Sequence, residues 1–319
     1  MKANKIMEDI KIKFISTGYY VPEKIVTNDD LSKIVDTNDE WIKSRTGISK
    51  RRFATDDETV IDLAYQAGLD AINQSNFDKN KIDLIIVSSI TSPVKTPSIA
   101  NLVQGMLGLN KNHVMAFDIN AACTGYIYAL EIASGLLKSG LYKNALVIGA
   151  EKMTSILDFK DRSTCVLFGD GAGASIITLS DDNNDQVYFY NDSKGDLEKV
   201  LWIKPYVKME GREVFRFAVD VIPKSINELL KKSNLTLDEI DLIIPHQANV
   251  RIIQNVAKEM NLPMDKFLMN IEEYGNTSAA SIPILLAEYK RKNPKKSKQK
   301  AILVGFGGGF TWGAALINI

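Results

Sequence analysis

Cysteine is scarce in this chain: Cys123 and Cys165 are the only two among 319 residues. A disulfide framework therefore lacks material, and free thiols in a reducing, cytoplasmic setting are the expectation. Histidine is as scarce, with His113 and His246 alone. An excess of either charge is missing too. Lysine plus arginine and aspartate plus glutamate each number 39, so no overall field draws the protein to nucleic acid or to an anionic membrane. No apolar run reaches the roughly 18 residues of a membrane span. The opening MKANKIMEDIKIKFISTGYY has basic residues without the apolar core of a signal peptide. The expectation is a protein neither secreted nor inserted in a membrane.

Apolar surface, by contrast, is plentiful. At 45% hydrophobic residues the chain can bury a large core, as one big domain or two fused halves. Leu84–Val87, Val114–Ile119, Ala145–Ile148, Leu242–Ile244 and Ala301–Val304 are short apolar runs bounded by polar or glycine residues, the pattern of strands buried on both faces. Between them Glu58–Ile72, Tyr126–Lys138 and the stripe Val214, Phe215, Ala218, Val221 and Ile222 have helical spacing. The class is α/β, with helices covering sheets.

The chain also repeats. Ile82-Asp-Leu-Ile-Ile86 returns as Ile240-Asp-Leu-Ile-Ile244, and Ala145-Leu-Val-Ile-Gly149 as Ala301-Ile-Leu-Val-Gly305, in the same order and at offsets of 158 and 156 residues. A duplicated half of about 150 residues, giving a pseudo-twofold pair, accounts for both. The polar stretch Ser180–Asp185 is the expected join, dividing residues 1–180, which carry Cys123, from 181–319, which carry His246 and Asn276. No Pro/Ser-rich linker separates them, so the halves are expected to pack together.

Three polar positions invite chemistry. Cys123 lies between a strand-like run and a helical one, among the small residues Ala121, Ala122, Thr124 and Gly125. The dipole of a helix N-terminus can lower a cysteine from about 8.5 toward neutrality, whereas the plainer reading is a small buried hydrophobe. His246 ends a strand, at the carboxyl edge where open α/β sheets place their sites, and is structural or functional by this criterion alone. Tyr274-Gly-Asn-Thr-Ser-Ala-Ala-Ser281 could present Asn276 to a reacting oxygen. Cys165 reads as core and His113 as solvated. The glycine strings 168–174 and 306–313 run into strand-like segments, not helices, so they fail the dinucleotide fingerprint and suit close approach of backbones or substrate.

Taken together, Asp39-Glu-Trp-Ile-Lys-Ser-Arg-Thr-Gly-Ile48, Ala122-Cys123, Asp161-Arg-Ser-Thr164, Phe168-Gly-Asp-Gly-Ala-Gly173, Pro245-His-Gln-Ala-Asn249, Gly275-Asn-Thr-Ser-Ala-Ala-Ser281 and Gly307-Gly-Gly-Phe-Thr-Trp-Gly313 resemble the β-ketoacyl-acyl carrier protein synthase III family. The resemblance runs from about Lys11 to the C-terminus. It implies a duplicated thiolase-like fold, a homodimer, and decarboxylative condensation of an acyl-CoA with malonyl-acyl carrier protein, without metal or cofactor. It maps the catalytic trio onto Cys123, His246 and Asn276, and the oxyanion hole onto the backbone of Cys123 and Gly308. For CoA it implies Trp41 and Arg162 about the adenine, Arg45 near the phosphates and Asn249 near the pantetheine. It implies Thr96 and Phe306 at the acyl pocket, and Arg216, Gln247, Arg251 and Lys258 at the carrier-protein docking face.

Two departures bear on specificity. Glu259 stands where some members have a second basic residue, although Lys290–Lys300, read as a solvated loop, could supply charge. Thr96 stands where acetyl-selective relatives carry phenylalanine, which could admit longer or branched primers. Rival readings are a cysteine hydrolase with papain-like Cys, His and Asn, a paralogue condensing acyl groups in secondary metabolism, and a non-catalytic scaffold.

Overall fold

The computed structural model describes residues 10–296 and 298–319. Residues 1–9, part of the stretch tested for a signal peptide, and Ser297 in the lysine-rich segment lie outside the described residues. The strands are β1 (Ile12–Tyr20), β2 (Ile25–Thr27), β3 (Lys50–Arg52), β4 (Leu84–Ser88), β5 (Met115–Ile119), β6 (Asn144–Glu151), β7 (Gly171–Leu179), β8 (Tyr188–Ser193), β9 (Leu201–Ile203), β10 (Val207–Met209), β11 (Leu242–Pro245), β12 (Lys300–Gly307) and β13 (Thr311–Asn318).

Two sheets dominate. The first has the order β1-β7-β6-β4-β5 and the second β11-β12-β13-β8. In the first, β4 pairs in parallel with β5 and β6, and β6 turns back antiparallel into β7. The second repeats that motif, with β11 parallel to β12 and β12 antiparallel to β13. Both faces of β4 are covered, as its uninterrupted apolar run requires. Leu84 and Ile86 face the core between the sheets, and Ile85 and Val87 the core outside.

Helices Gly125–Lys138 and Ser281–Lys292 fill the space between the sheets, where Tyr126, Leu130, Ile282 and Leu286 meet residues of both. Helices Val60–Asn73 and Ile99–Met106 cover the first sheet from outside, and Gly211–Ser233 and Val250–Glu259 cover the second. The result is five alternating layers of helix and sheet. No helix among the described residues is long and apolar enough to cross a membrane.

Local chemistry sets the ends. The helix expected from Glu58 starts at Val60, because Thr59 caps it and Asp62 reaches back to the Thr59 N–H. The last inner helix runs on to Lys292, so Lys290–Lys292 are helical and not the start of a solvated loop. Each repeated Asp ties two strand starts together. Asp83 accepts from Lys143 N and Asn144 N, and Asp241 accepts from Lys300 N at 2.7 Å.

The inner helix of the second half is pressed onto the first sheet. A Cβ on Gly173 would lie 2.5 Å from Ile284 N, and one on Gly149 2.3 Å from the Ala279 carbonyl oxygen. That close seating, which only glycine allows, brings the residues before the helix against the turn that carries Cys123.

Candidate active site

Cys123 lies in the single turn Ala122–Thr124 between β5 and the inner helix Gly125–Lys138. A second single turn, Ser278–Ala280, precedes the other inner helix and packs against the first. Both turns open on a non-glycine residue with left-handed backbone, Ala122 at φ 46° and Ser278 at φ 49°. Each costs about 1–3 kcal/mol and persists only where the surroundings impose it. Here they do. Thr311 Oγ1 donates to the Ala121 carbonyl at 3.0 Å and meets Thr124 Oγ1 at 3.1 Å, while Asn276 Oδ1 accepts the Ser278 N–H at 2.8 Å. Gly307 abuts Cys123 so closely that a Cβ on it would lie 2.7 Å from Cys123 N, which sets the following Gly308 in the cavity wall.

A mostly apolar cavity of about 550 Å³ opens over these turns and is lined by Cys123, His246, Asn276, Ser278, Phe306 and Gly308 among others. His246 and Asn276 are each fixed from behind. His246 Nδ1 and Ser281 Oγ are 2.7 Å apart, leaving Nε2 as the ring nitrogen available to the cavity. With Ser281 donating to Nδ1, the proton resides on Nε2. Asn276 Oδ1 is occupied by the Ser278 N–H, so its Nδ2 is the end that can donate. Two neutral donors therefore serve one cavity, an arrangement suited to a developing oxyanion or enolate. The papain-like pattern is not formed, because Ser281 and not Asn276 orients the histidine.

Burial governs ionisation. It holds His246 well down, at about 3, so the ring is a neutral donor across the physiological range. Cys123 is partly exposed to the cavity but enclosed by protein, and burial pushes its thiol up to about 12, with the Ser278 hydrogen bond lowering it and the charge of Glu151 raising it. A helix dipole acts in the opposite direction, the first of the two readings that the sequence left open. Desolvation of the charged form acts against that dipole here.

The other positions sort by depth. Phe306 is buried with its ring edge-on to His246 at 5.6 Å between centroids. Asn249 lines the cavity and caps helix Val250–Glu259 by accepting from Arg251 N at 2.9 Å. Two guanidinium groups approach the Trp41 ring, Arg45 at 4.9 Å and Arg162 at 5.2 Å from its centroid, with Arg162 Nη1 also donating to the Asp36 carbonyl. An adenine would have to enter this stack. Arg216, paired with Glu213, and Arg251 and Lys258 are exposed on the two helices outside the second sheet. Thr96 is exposed and does not line the cavity of its own chain.

Gln247 is a correction. It is fully buried, its Nε2 donates to the Pro245 carbonyl at 2.8 Å, and its Oε1 accepts from Asn270 N at 3.0 Å and Ile271 N at 3.1 Å. An amide saturated by backbone under the surface cannot meet a carrier protein; it pins the chain that leads to Asn276. Cys165 is core and His113 is exposed.

Two residues escaped the sequence reading. Glu151 ends β6 completely buried, and Ser278 stands between it and Cys123. The available signal was a lone carboxylate closing an apolar strand at its carboxyl end.

Comparison with known proteins finds the family described as 3-Oxoacyl-[acyl-carrier-protein (ACP)] synthase III over residues 117–195 and its C-terminal part over 230–319. The chain is 64% identical to the Beta-ketoacyl-[acyl-carrier-protein] synthase III of Acholeplasma laidlawii, over 98% of this chain and 100% of that one. It is 48% identical to the Aquifex aeolicus protein of the same name, over 96% and 99%. The crystal structure of 3-oxoacyl-[acyl-carrier-protein] synthase III from Aquifex aeolicus VF5 superposes with a TM-score of 0.93 at 46% identity, covering 97% of this chain and 100% of that one.

Proposed function

The chain belongs to the β-ketoacyl-[acyl-carrier-protein] synthase III family and is a condensing acyltransferase; we propose that Cys123, His246 and Asn276 carry its reaction, with acyl-CoA as primer and malonyl-acyl carrier protein as extender. The 64% identity favours this reading over a paralogue of secondary metabolism. In the first half-reaction the Cys123 sulfur bonds to the acyl carbon and the carbon–sulfur bond to CoA breaks. The backbone N–H groups of Cys123 and Gly308 hold the carbonyl oxygen as it gains charge. In the second, the malonyl carbon–carboxylate bond breaks with loss of CO₂, and the electron pair spreads onto the thioester oxygen. His246 Nε2–H and Asn276 Nδ2–H stabilise that enolate. The carbanion then bonds to the acyl carbon, and the bond to Cys123 breaks.

The observation that carries this reading is the shared wall of Cys123, His246 and Asn276 in one cavity, the latter two with their donor ends free of partners behind them. Trp41, Arg45, Arg162 and Asn249 are assigned to CoA, and Arg216, Arg251 and Lys258 to the acidic carrier protein. A homodimer is part of the proposal, and the edge position of β5, with Met115 40% exposed, supports it. Thr96 would then act in the partner's acyl pocket, admitting primers longer than acetyl. Two free thiols support a cytoplasmic location.

Intact-protein mass spectrometry with a series of acyl-CoAs, then malonyl-acyl carrier protein, tests the reading. Cys123 should gain one acyl group, and the carrier-bound product should be the acyl chain lengthened by two carbons. Acylation that survives Cys123→Ala would overturn it; turnover confined to acetyl-CoA would overturn the role of Thr96.

A further inference from the structure

A buried thiol that attacks a thioester must surrender its proton, and the structure holds one chain of groups that can take it. Cys123 Sγ lies 3.5 Å from Ser278 Oγ, and Ser278 Oγ donates to Glu151 Oε1 at 3.0 Å. The other oxygen of Glu151 accepts from Thr91 Oγ1 at 2.8 Å, Ile90 N at 3.1 Å and Ser89 Oγ at 3.2 Å. Four donors converge on this carboxylate, and its neighbour Lys152 turns away to the Thr55 and Glu58 carbonyls. His246 in the same cavity is bound to Ser281 instead.

We propose that Ser278 and Glu151 form a proton relay that serves the acyl-loading step at Cys123. This rests on Cys123 being the acylated residue, as argued above. As the Cys123 sulfur bonds to the acyl carbon, its proton passes to Ser278 Oγ and the Ser278 hydroxyl proton passes to Glu151 Oε1. CoA departs as the thiolate and is protonated by water. The proton waits on Glu151 until condensation, when the carbon–sulfur bond to Cys123 breaks and the leaving thiolate recovers it through Ser278.

Charge bookkeeping favours the scheme. With Glu151 ionised, the resting site holds one buried negative charge, and a thiolate beside that carboxylate would add a second. Moving the proton along the relay keeps the count at one during attack. It leaves the acyl-enzyme neutral, so the malonyl carboxylate enters a site without a like charge beneath it. Burial raises Glu151 to about 7, against hydrogen bonds that lower it, so the group can both accept and return a proton near neutral pH. Ser278 touches the reacting sulfur; Glu151 acts through it as a positioning and proton-holding residue.

Single-turnover acylation of Cys123 by an acyl-CoA, followed by mass spectrometry from pH 6 to 9, tests the relay. The wild type should load faster with rising pH and level off above about 7. Glu151→Gln and Ser278→Ala should load on the order of 100-fold more slowly at pH 7, then gain about tenfold per pH unit without levelling as hydroxide replaces the relay. Glu151→Asp should recover part of the rate. Enzyme of either variant, once loaded at pH 9, should condense more slowly than wild type as well, because the leaving Cys123 thiolate has no stored proton to recover. Equal loading of wild type and Ser278→Ala at pH 7, or a loss that is the same at every pH, would overturn the relay. Should Glu151→Gln not fold, Ser278→Ala alone decides. A wild type that never acylates Cys123 would instead overturn the assignment of the nucleophile.

Discussion

The two halves of the molecule use the same backbone for different ends. Each runs through a parallel strand pair, β4 with β6 and β11 with β12, followed by an antiparallel return. Each carries an Asp that ties the strand starts, a facing glycine pair on the return, and a single turn entering the inner helix. In the first half that turn opens on Ala122 and presents Cys123; in the second it opens on Ser278 and continues into buried Ala279. The pairing is not symmetric. Gly149 is pressed by the backbone of the opposite turn and Gly173 by that of the opposite inner helix, whereas a Cβ on Gly305 would meet only side-chain carbons at 3.5 Å or more. Duplication supplied a frame, and unequal seating of the inner helices lowered one half's turn onto the other's.

The sharpest way to break the comparison is to move the thiol. Cys123→Ala should abolish acylation, and adding Ala279→Cys should not restore it, because Ala279 is buried and outside the cavity; intact mass after exposure to acyl-CoA reads both. Next, His246→Ala and Asn276→Ala should each lower condensation by about 10² to 10³ while acyl loading stays within a few-fold. Stopped single turnovers of the two steps separate these outcomes, and equal loss in both steps would remove the division of labour. The packing asymmetry predicts smaller effects. Gly173→Ala should cost about 1–3 kcal/mol by overpacking against Ile284 N, and Gly305→Ala should stay within about 1 kcal/mol, read by urea unfolding. Last, Asp83→Ala should cost about 1 kcal/mol and Asp241→Ala less, since Asp83 caps two backbone N–H groups and Asp241 one. Similar losses would show that the two devices are equivalent after all.

Much of this was legible in the chain. Apolar runs located β4, β6, β11 and β12 because strands buried on both faces must be apolar throughout, and the repeat announced the second sheet; β5 is a strand as well, but it lies at the sheet edge and is only partly buried. The glycine strings lead into strands β7 and β13, as their β-rich continuations required. Misses followed physical lines. A capping box moved one helix start, and backbone hydrogen bonds, invisible in a motif, took Gln247 out of any docking face. The segment 186–212 holds none of the motifs quoted for the resemblance, yet its hairpin β9–β10 supplies Leu201, Val207 and Met209 to the cavity.

By itself, then, the order of residues determined which segments are strands and helices, that the fold is built twice, and which three polar side chains the family resemblance assigns to one chemistry. Those properties are carried by local periodicity and short motifs. Tertiary structure alone decided that burial pushes the Cys123 thiol up, that Ser281 aims His246, and that Glu151 lies beneath Cys123. Each depends on desolvation or on contacts across tens to more than a hundred residues of chain, and neither quantity exists until the two sheets close on the inner helices.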